Sequence, residues 1–117
     1  MTMDYPQDAD GDALRRLQAD GSDMSRPMNI DFAVAVPDEA AGHAVAEGAQ
    51  ALGYKAEVVH DPGDDDRESW TCYCTRRMVP THHGVLDAQQ QLDEVGRRFG
   101  GYADGWGSFG NAEEQPQ

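Results

Sequence analysis

Two cysteines and two histidines are the residues of this chain best suited to chemistry: Cys72 and Cys74, two positions apart, and the adjacent His82 and His83. A thiol beside an imidazole base is an activated nucleophile, and two thiols with two imidazoles make up a zinc set. The spacing argues against both. His-His beginning eight residues after a Cys-x-Cys is not a structural zinc pattern. On a strand the two thiols would share one face about 7 Å apart, too far to close a disulfide without distortion. His82 and His83 open a helix, whose positive end favours neutral imidazole, yet no serine or cysteine is placed by sequence to use such a base. Buried or half-buried thiols and a solvated helix start are the expectation. His43 on a helix and His60 at a strand end read as surface residues.

The acidic clusters fare no better as ion sites. Asp61, Asp64, Asp65, Asp66 and Glu68 crowd one turn, but they lack the Asp-x-Asp-x-Asp-Gly pattern with its distal glutamate. Asp8-Ala9-Asp10-Gly11-Asp12 carries its glycine too early, and Ala19 stands where the last calcium ligand belongs. The chain therefore predicts no catalytic residue, no metal and no cofactor. It reads as a non-enzymatic binding protein whose surface is its function.

Periodicity supplies the frame for that surface. Residues 1–7 read as a disordered start. Residues 8–19 form a short helix with Asp8, Asp10 and Asp12 at its positive end and a narrow stripe of Ala13, Leu14 and Leu17. Met28, Ile30, Phe32, Val34 and Val36 alternate with smaller or polar residues, which predicts a strand. Residues 38–52 place Ala41, Val45, Ala49 and Leu52 on one helical face, and Gly53 ends it. Residues 54–60 and 69–78 predict two strands joined as a hairpin across the Asp-rich turn. Residues 81–99, with Val85, Ala88, Leu92, Val95 and Phe99 at three- and four-residue spacing, give the strongest helix. Residues 102–106 suit a last short strand, and 111–117 a polar tail. After its first helix the order is strand-helix-strand-strand-helix-strand. That predicts an α+β, ferredoxin-like split βαβ sandwich: a four-stranded antiparallel sheet with two helices on one face. The other face is left for solvent, the extra N-terminal helix or a partner.

Charge narrows the partner. With 117 residues, 22 Asp and Glu against 9 Lys and Arg, the chain is a single acidic domain of net charge -13. That sign disfavours nucleic-acid phosphates and anionic membranes, and favours a basic protein partner. Arg76-Arg77 is too short a basic patch to turn Phe32 and Tyr73 into an RNA-stacking platform. There is no apolar run long enough to span a membrane and no secretory leader, so a cytoplasmic protein is expected. Cys72 and Cys74 fit that compartment. Gly105-Trp106-Gly107 sets one large ring between two conformationally permissive residues. Trp106 and Trp70 each suit either a core plug or an interface anchor.

Several stretches together carry a resemblance. Asp10-Gly11-Asp12 leads into a Leu-containing helix, followed by Gly21-Ser22-Asp23. A strand over 29–36 and an Ala-rich helix ending Leu52-Gly53-Tyr54 come next. Then come Thr75-Arg76-Arg77-Met78-Val79-Pro80-Thr81 and Tyr102-Ala103-Asp104-Gly105-Trp106-Gly107. Over residues 8–110 the chain resembles the ribonuclease E activity regulator B family. Met-Val-Pro-Thr with Asp-Gly-Trp-Gly is the specific pair. The chain departs from the family pattern in Ala103, between Tyr102 and Asp104, and in a short, Asp-rich hairpin tip. The resemblance implies a ferredoxin-like fold and a cytoplasmic protein that binds ribonuclease E and inhibits its RNA cleavage. In that family the contact is with the nuclease's non-catalytic region, without chemistry of the regulator's own. The candidate binding surface comprises Asp64, Asp65 and Asp66 of the hairpin, Arg77, Met78, Pro80 and Thr81, and Asp104, Gly105 and Trp106. The alternative is a ferredoxin-like module unrelated to RNA decay that binds a small ligand or forms a homo-oligomer through its open sheet face. An enzyme built on Cys72, Cys74 and the histidine pair is the least favoured reading.

Overall fold

The computed structural model describes residues 5–62 and 68–112. The elements run α1 (Ala9–Ala19), β1 (Met28–Val36), α2 (Glu39–Ala51), β2 (Lys55–Pro62), β3 (Glu68–Met78), α3 (His82–Arg97) and β4 (Tyr102–Gly107). Each helix starts where a short polar side chain replaces a missing intrahelical partner. Asp8 accepts from Gly11 N at 2.7 Å, Asp38 from Ala41 N at 2.8 Å, and Thr81 from Gly84 N at 2.9 Å.

The strands lie in the order β2-β3-β1-β4, and the paired strands are antiparallel throughout. With α2 and α3 connecting them, this is the ferredoxin-like split βαβ arrangement that the element order predicts. β1 alternates strictly. Met28, Ile30, Phe32, Val34 and Val36 are buried against the helices, while Asn29, Asp31, Ala33 and Ala35 face the other way. Cys72 and Cys74 on β3 join the buried side, together with Val45 and Ala49 of α2 and Val85, Leu92 and Val95 of α3. Gly42 lets α2 approach β2 closely, since a Cβ there would lie 2.8 Å from Val58 Cγ1.

The extra helix α1 does not cover the open face. It packs beside α3 on the helical side, and Leu14 and Leu17 enter the common core. Tyr5, expected in a disordered start, packs against that core, and its carbonyl accepts from Arg15 Nη1 at 2.8 Å. At the other end Asn111, expected in a polar tail, is buried. Its side-chain oxygen accepts from Asp23 N at 2.8 Å, and its amide donates to the carbonyls of Asp23, Arg26 and Pro27. A buried amide is tolerated when its hydrogen-bonding capacity is met, as it is here. Among the described residues no helix is long and apolar enough to cross a membrane.

Candidate functional site

The strand β4 reaches the site through a bulge. Phe32 pairs with Trp106 and Val34 with Ala103, so Asp104 and Gly105 together oppose Ala33 alone. Gly105 takes the left-handed backbone the bulge requires, at φ 103°. In an unbroken ladder Gly105 would oppose Phe32. The extra residue puts Trp106 there instead, turned to the helical side. The Asp-Gly that precedes the tryptophan is therefore a device for aiming it.

Once aimed, Trp106 is half-buried against the core, and its indole Nε1 donates to Asp10 Oδ1 at 2.7 Å. The same oxygen accepts from Gln89 Nε2 at 3.0 Å. Two residues earlier, at the cap of α1, Asp8 Oδ2 lies 3.0 Å from His82 Nε2. The start of α1 thus clamps the two stretches that carried the sequence resemblance. Asp8 holds the His82 that follows Pro80-Thr81, and Asp10 holds Trp106. His82 is not the solvated residue expected from its position at a helix start, because its ring meets a carboxylate from a distant helix.

The remaining candidate residues divide by exposure. Pro80 is fully buried and Met78 half-buried, while Thr81 spends its hydroxyl capping α3. Arg77, Asp104 and Gly105 are exposed. Asp64, Asp65 and Asp66 lie outside the described residues. Trp70 is half-buried and stacks on His60 with ring centroids 4.5 Å apart. Cys72 and Cys74 are completely buried with sulfurs 3.8 Å apart, and both are free thiols. The contact with Cys72, and then burial, push the Cys74 thiol far up, so it is held protonated. Among the described residues no three His, Cys, Asp or Glu side chains converge as a metal cage.

The open face of the sheet has its own pattern. Lys55, Thr75 and Asp31 form one row across β2, β3 and β1, and Glu57, Tyr73 and Ala33 the next. The Thr75 hydroxyl donates to Asp31 Oδ1. Tyr73 and Tyr102 are exposed aromatics on this side, and Phe109 follows just beyond β4. Sequence reasoning missed Asp8 and Asp10 as anchors and Phe109 as an exposed ring. The two aspartates were legible only as helix-start residues, and Phe109 only as one aromatic among turn-forming neighbours.

Among the described residues three carboxyls sit below their ordinary value of 3.8: Asp8, chiefly through the Gly11 N–H and then His82; Asp23, through the Ser25 hydroxyl and N–H; and Asp93, through Arg97 and then the Ala103 N–H. The folded chain therefore holds these protons less readily than the unfolded chain. Their stabilisation is complete above the unfolded carboxyl range and is lost as pH falls through the lowered folded values. The melting temperature is expected to hold steady from about pH 7 to about pH 5 and to fall below about pH 4. Asp8→Asn should melt lower at neutral pH and show a shallower acid decline. An acid decline as steep as the parent's would remove Asp8 from the set.

Residues 7–108 match the sequence profile of the family described as Regulator of ribonuclease activity B. The chain is also 29% identical over 113 residues to the Regulator of ribonuclease activity B of Actinobacillus succinogenes, a span covering 93% of this chain and 80% of that protein. The family match runs through the α1 clamp, the bulge and the open face, and on its strength the chain belongs to the Regulator of ribonuclease activity B family.

Proposed function

We propose that this protein binds a ribonuclease in the cytoplasm and lowers its activity by protein–protein contact, without chemistry or cofactor of its own. Ribonuclease E is the nuclease the resemblance implies. The observation that carries the reading is the family match over residues 7–108. The net charge of -13 supports a basic partner and opposes direct competition for RNA phosphates. The contact surface is assigned to the exposed candidates Arg77, Asp104 and Gly105, with the hairpin acids Asp64, Asp65 and Asp66. Pro80 and Trp106 are assigned the task of shaping it. Thr81 and Met78 hold the start of α3 and the end of β3 beside it.

The test is a titration of the purified chain into ribonuclease E cleaving a fluorogenic RNA, with binding followed at low and moderate salt. The expected result is a dose-dependent fall in cleavage with an affinity that weakens as salt rises, because exposed charges are screened. Unchanged cleavage together with no binding at low salt would overturn the reading. Light scattering of the chain alone examines the alternative of a self-associating module.

A further inference from the structure

On the open face beside β4, a cleft is lined by Asp31, Ala33, Tyr73 and the stretch 104–109. Its walls are aromatic. Tyr73 is 41% exposed, and Phe109 is fully exposed at 101%. Phe109 does not ride on a loose end. Ser108 Oγ donates to Asn29 O at 2.6 Å, Gly110 N donates to Ser108 Oγ at 3.0 Å, and Asn111 is buried and bonded to the 22–27 loop. The strap is pinned on both sides of the ring while the ring itself stands in water. An aromatic carried on a pinned backbone and left unburied suits an interface anchor, because only the ring's own torsions remain to be fixed on binding.

The cleft also carries two carboxylates, Asp31 and Asp104. Along the same face Lys55 lies across Thr75 from Asp31, on the far edge strand, where Glu57 accompanies it. Rings with carboxylates beside them suit one group above others. A planar guanidinium stacks on aromatic faces while its N–H donors fork to a carboxylate, whereas a lysine ammonium uses only its point charge. The chain's net charge of -13 disfavours the other occupants of an exposed sheet. A second copy would bring the same acids against this one, and RNA phosphates would be repelled.

The geometry points to this cleft as the docking point for an arginine side chain from a basic segment of a partner protein, with Tyr73 and Phe109 as stacking walls and Asp31 and Asp104 as the anions. This assignment rests on the reading of the chain as a protein-binding regulator and adds the face and the group it recognises.

Fluorescence anisotropy tests it with the full chain and two labelled probes, a short Arg-Gly repeat peptide and its Lys-Gly counterpart. The parent chain should bind the arginine peptide more tightly. Phe109→Ala and Asp104→Asn should each weaken that binding on the order of tenfold. Phe109 buries nothing, so its removal should leave the thermal melt unchanged. Absence of arginine-peptide binding, no preference over lysine, or parent-like affinity in both variants would overturn the assignment. So would a dimer in light scattering that Phe109→Ala dissolves, since that gives the face to a second copy. Ribonuclease inhibition by the same variants separates the two readings. If both variants inhibit like the parent, the docking point falls and the regulator stands. If the parent binds the arginine peptide through Phe109 and Asp104 yet inhibits no ribonuclease, the regulator reading falls and the docking point stands.

Discussion

Phe32→Ala is expected to lower stability by about 3–5 kcal/mol, the cost of deleting a buried ring that its surroundings cannot refill. Phe32 is the largest fully buried side chain described, 1% exposed. It stands at the middle of the central strand, with Cys74 opposite on β3 and Trp106 opposite on β4. Its ring meets Tyr54 edge-to-face with centroids 6.0 Å apart. Removing it leaves a void between two strands and a helical layer that backbone pairing holds apart, so collapse is limited. A domain of this size has about 5–15 kcal/mol in total, so the loss takes a large share of it. The melting temperature should drop by about 10–20 °C, with the denaturant slope unchanged if unfolding stays two-state. Phe32→Leu, which keeps most of the volume, should cost less than half as much. A drop below about 1 kcal/mol for the alanine variant would mean that the core closes over the gap, and that Phe32 is not its centre.

The sequence displays the core through periodicity. Alternation along residues 28–36 and the three- and four-residue spacing of Val85, Ala88, Leu92, Val95 and Phe99 each name a buried face, and each is buried in the fold except at Phe99, which lies past the end of α3 and is exposed. Element order then suffices for the sheet, because a strand-helix-strand-strand-helix-strand chain with short links has few ways to cover one sheet face. Periodicity says which side of an element is apolar and nothing about which distant residue it meets. The clamp is made of such meetings. Asp8 and His82 are 74 positions apart, and Asp10 and Trp106 are 96 apart. Position alone therefore left His82 as a solvated helix start and Trp106 divided between core and contact. The position of α1 was open for the same reason. Its stripe of Leu14 and Leu17 would fit either side of the sheet, and Asp8 and Asp10 meet His82, Gln89 and Trp106 only beside α3 and β4. The bulge lies between these cases. Asp104-Gly105 is a legible turn signal, but its effect on the facing of Trp106 emerges only against the register of β1.

Asp10→Ala is expected to cost about 2–3 kcal/mol, because it strips the shared acceptor from two partly buried donors at once, the Trp106 indole and the Gln89 amide. Asp10→Asn should cost less, since an amide oxygen still accepts one of them. A double-mutant cycle with Trp106→Phe isolates the bond. The two single losses should exceed the double loss by about 1 kcal/mol or more if indole and carboxylate act as a pair. Simple additivity would show that Trp106 is held by packing alone. The same variants decide what the tryptophan does for binding. Trp106→Phe keeps most of the ring's bulk but not its donor, and Asp10→Ala leaves the tryptophan whole but unanchored. If Trp106 serves the surface by fixing the bulge, both variants should weaken ribonuclease binding in step with their loss of stability. If Trp106 touches the partner directly, Trp106→Phe should weaken binding beyond its stability cost while Asp10→Ala does not. The first pattern would make the Asp-Gly-Trp-Gly stretch a support that sets the shape of the open face. Recognition would then be left to the exposed residues on either side of Trp106, Asp104 and Phe109.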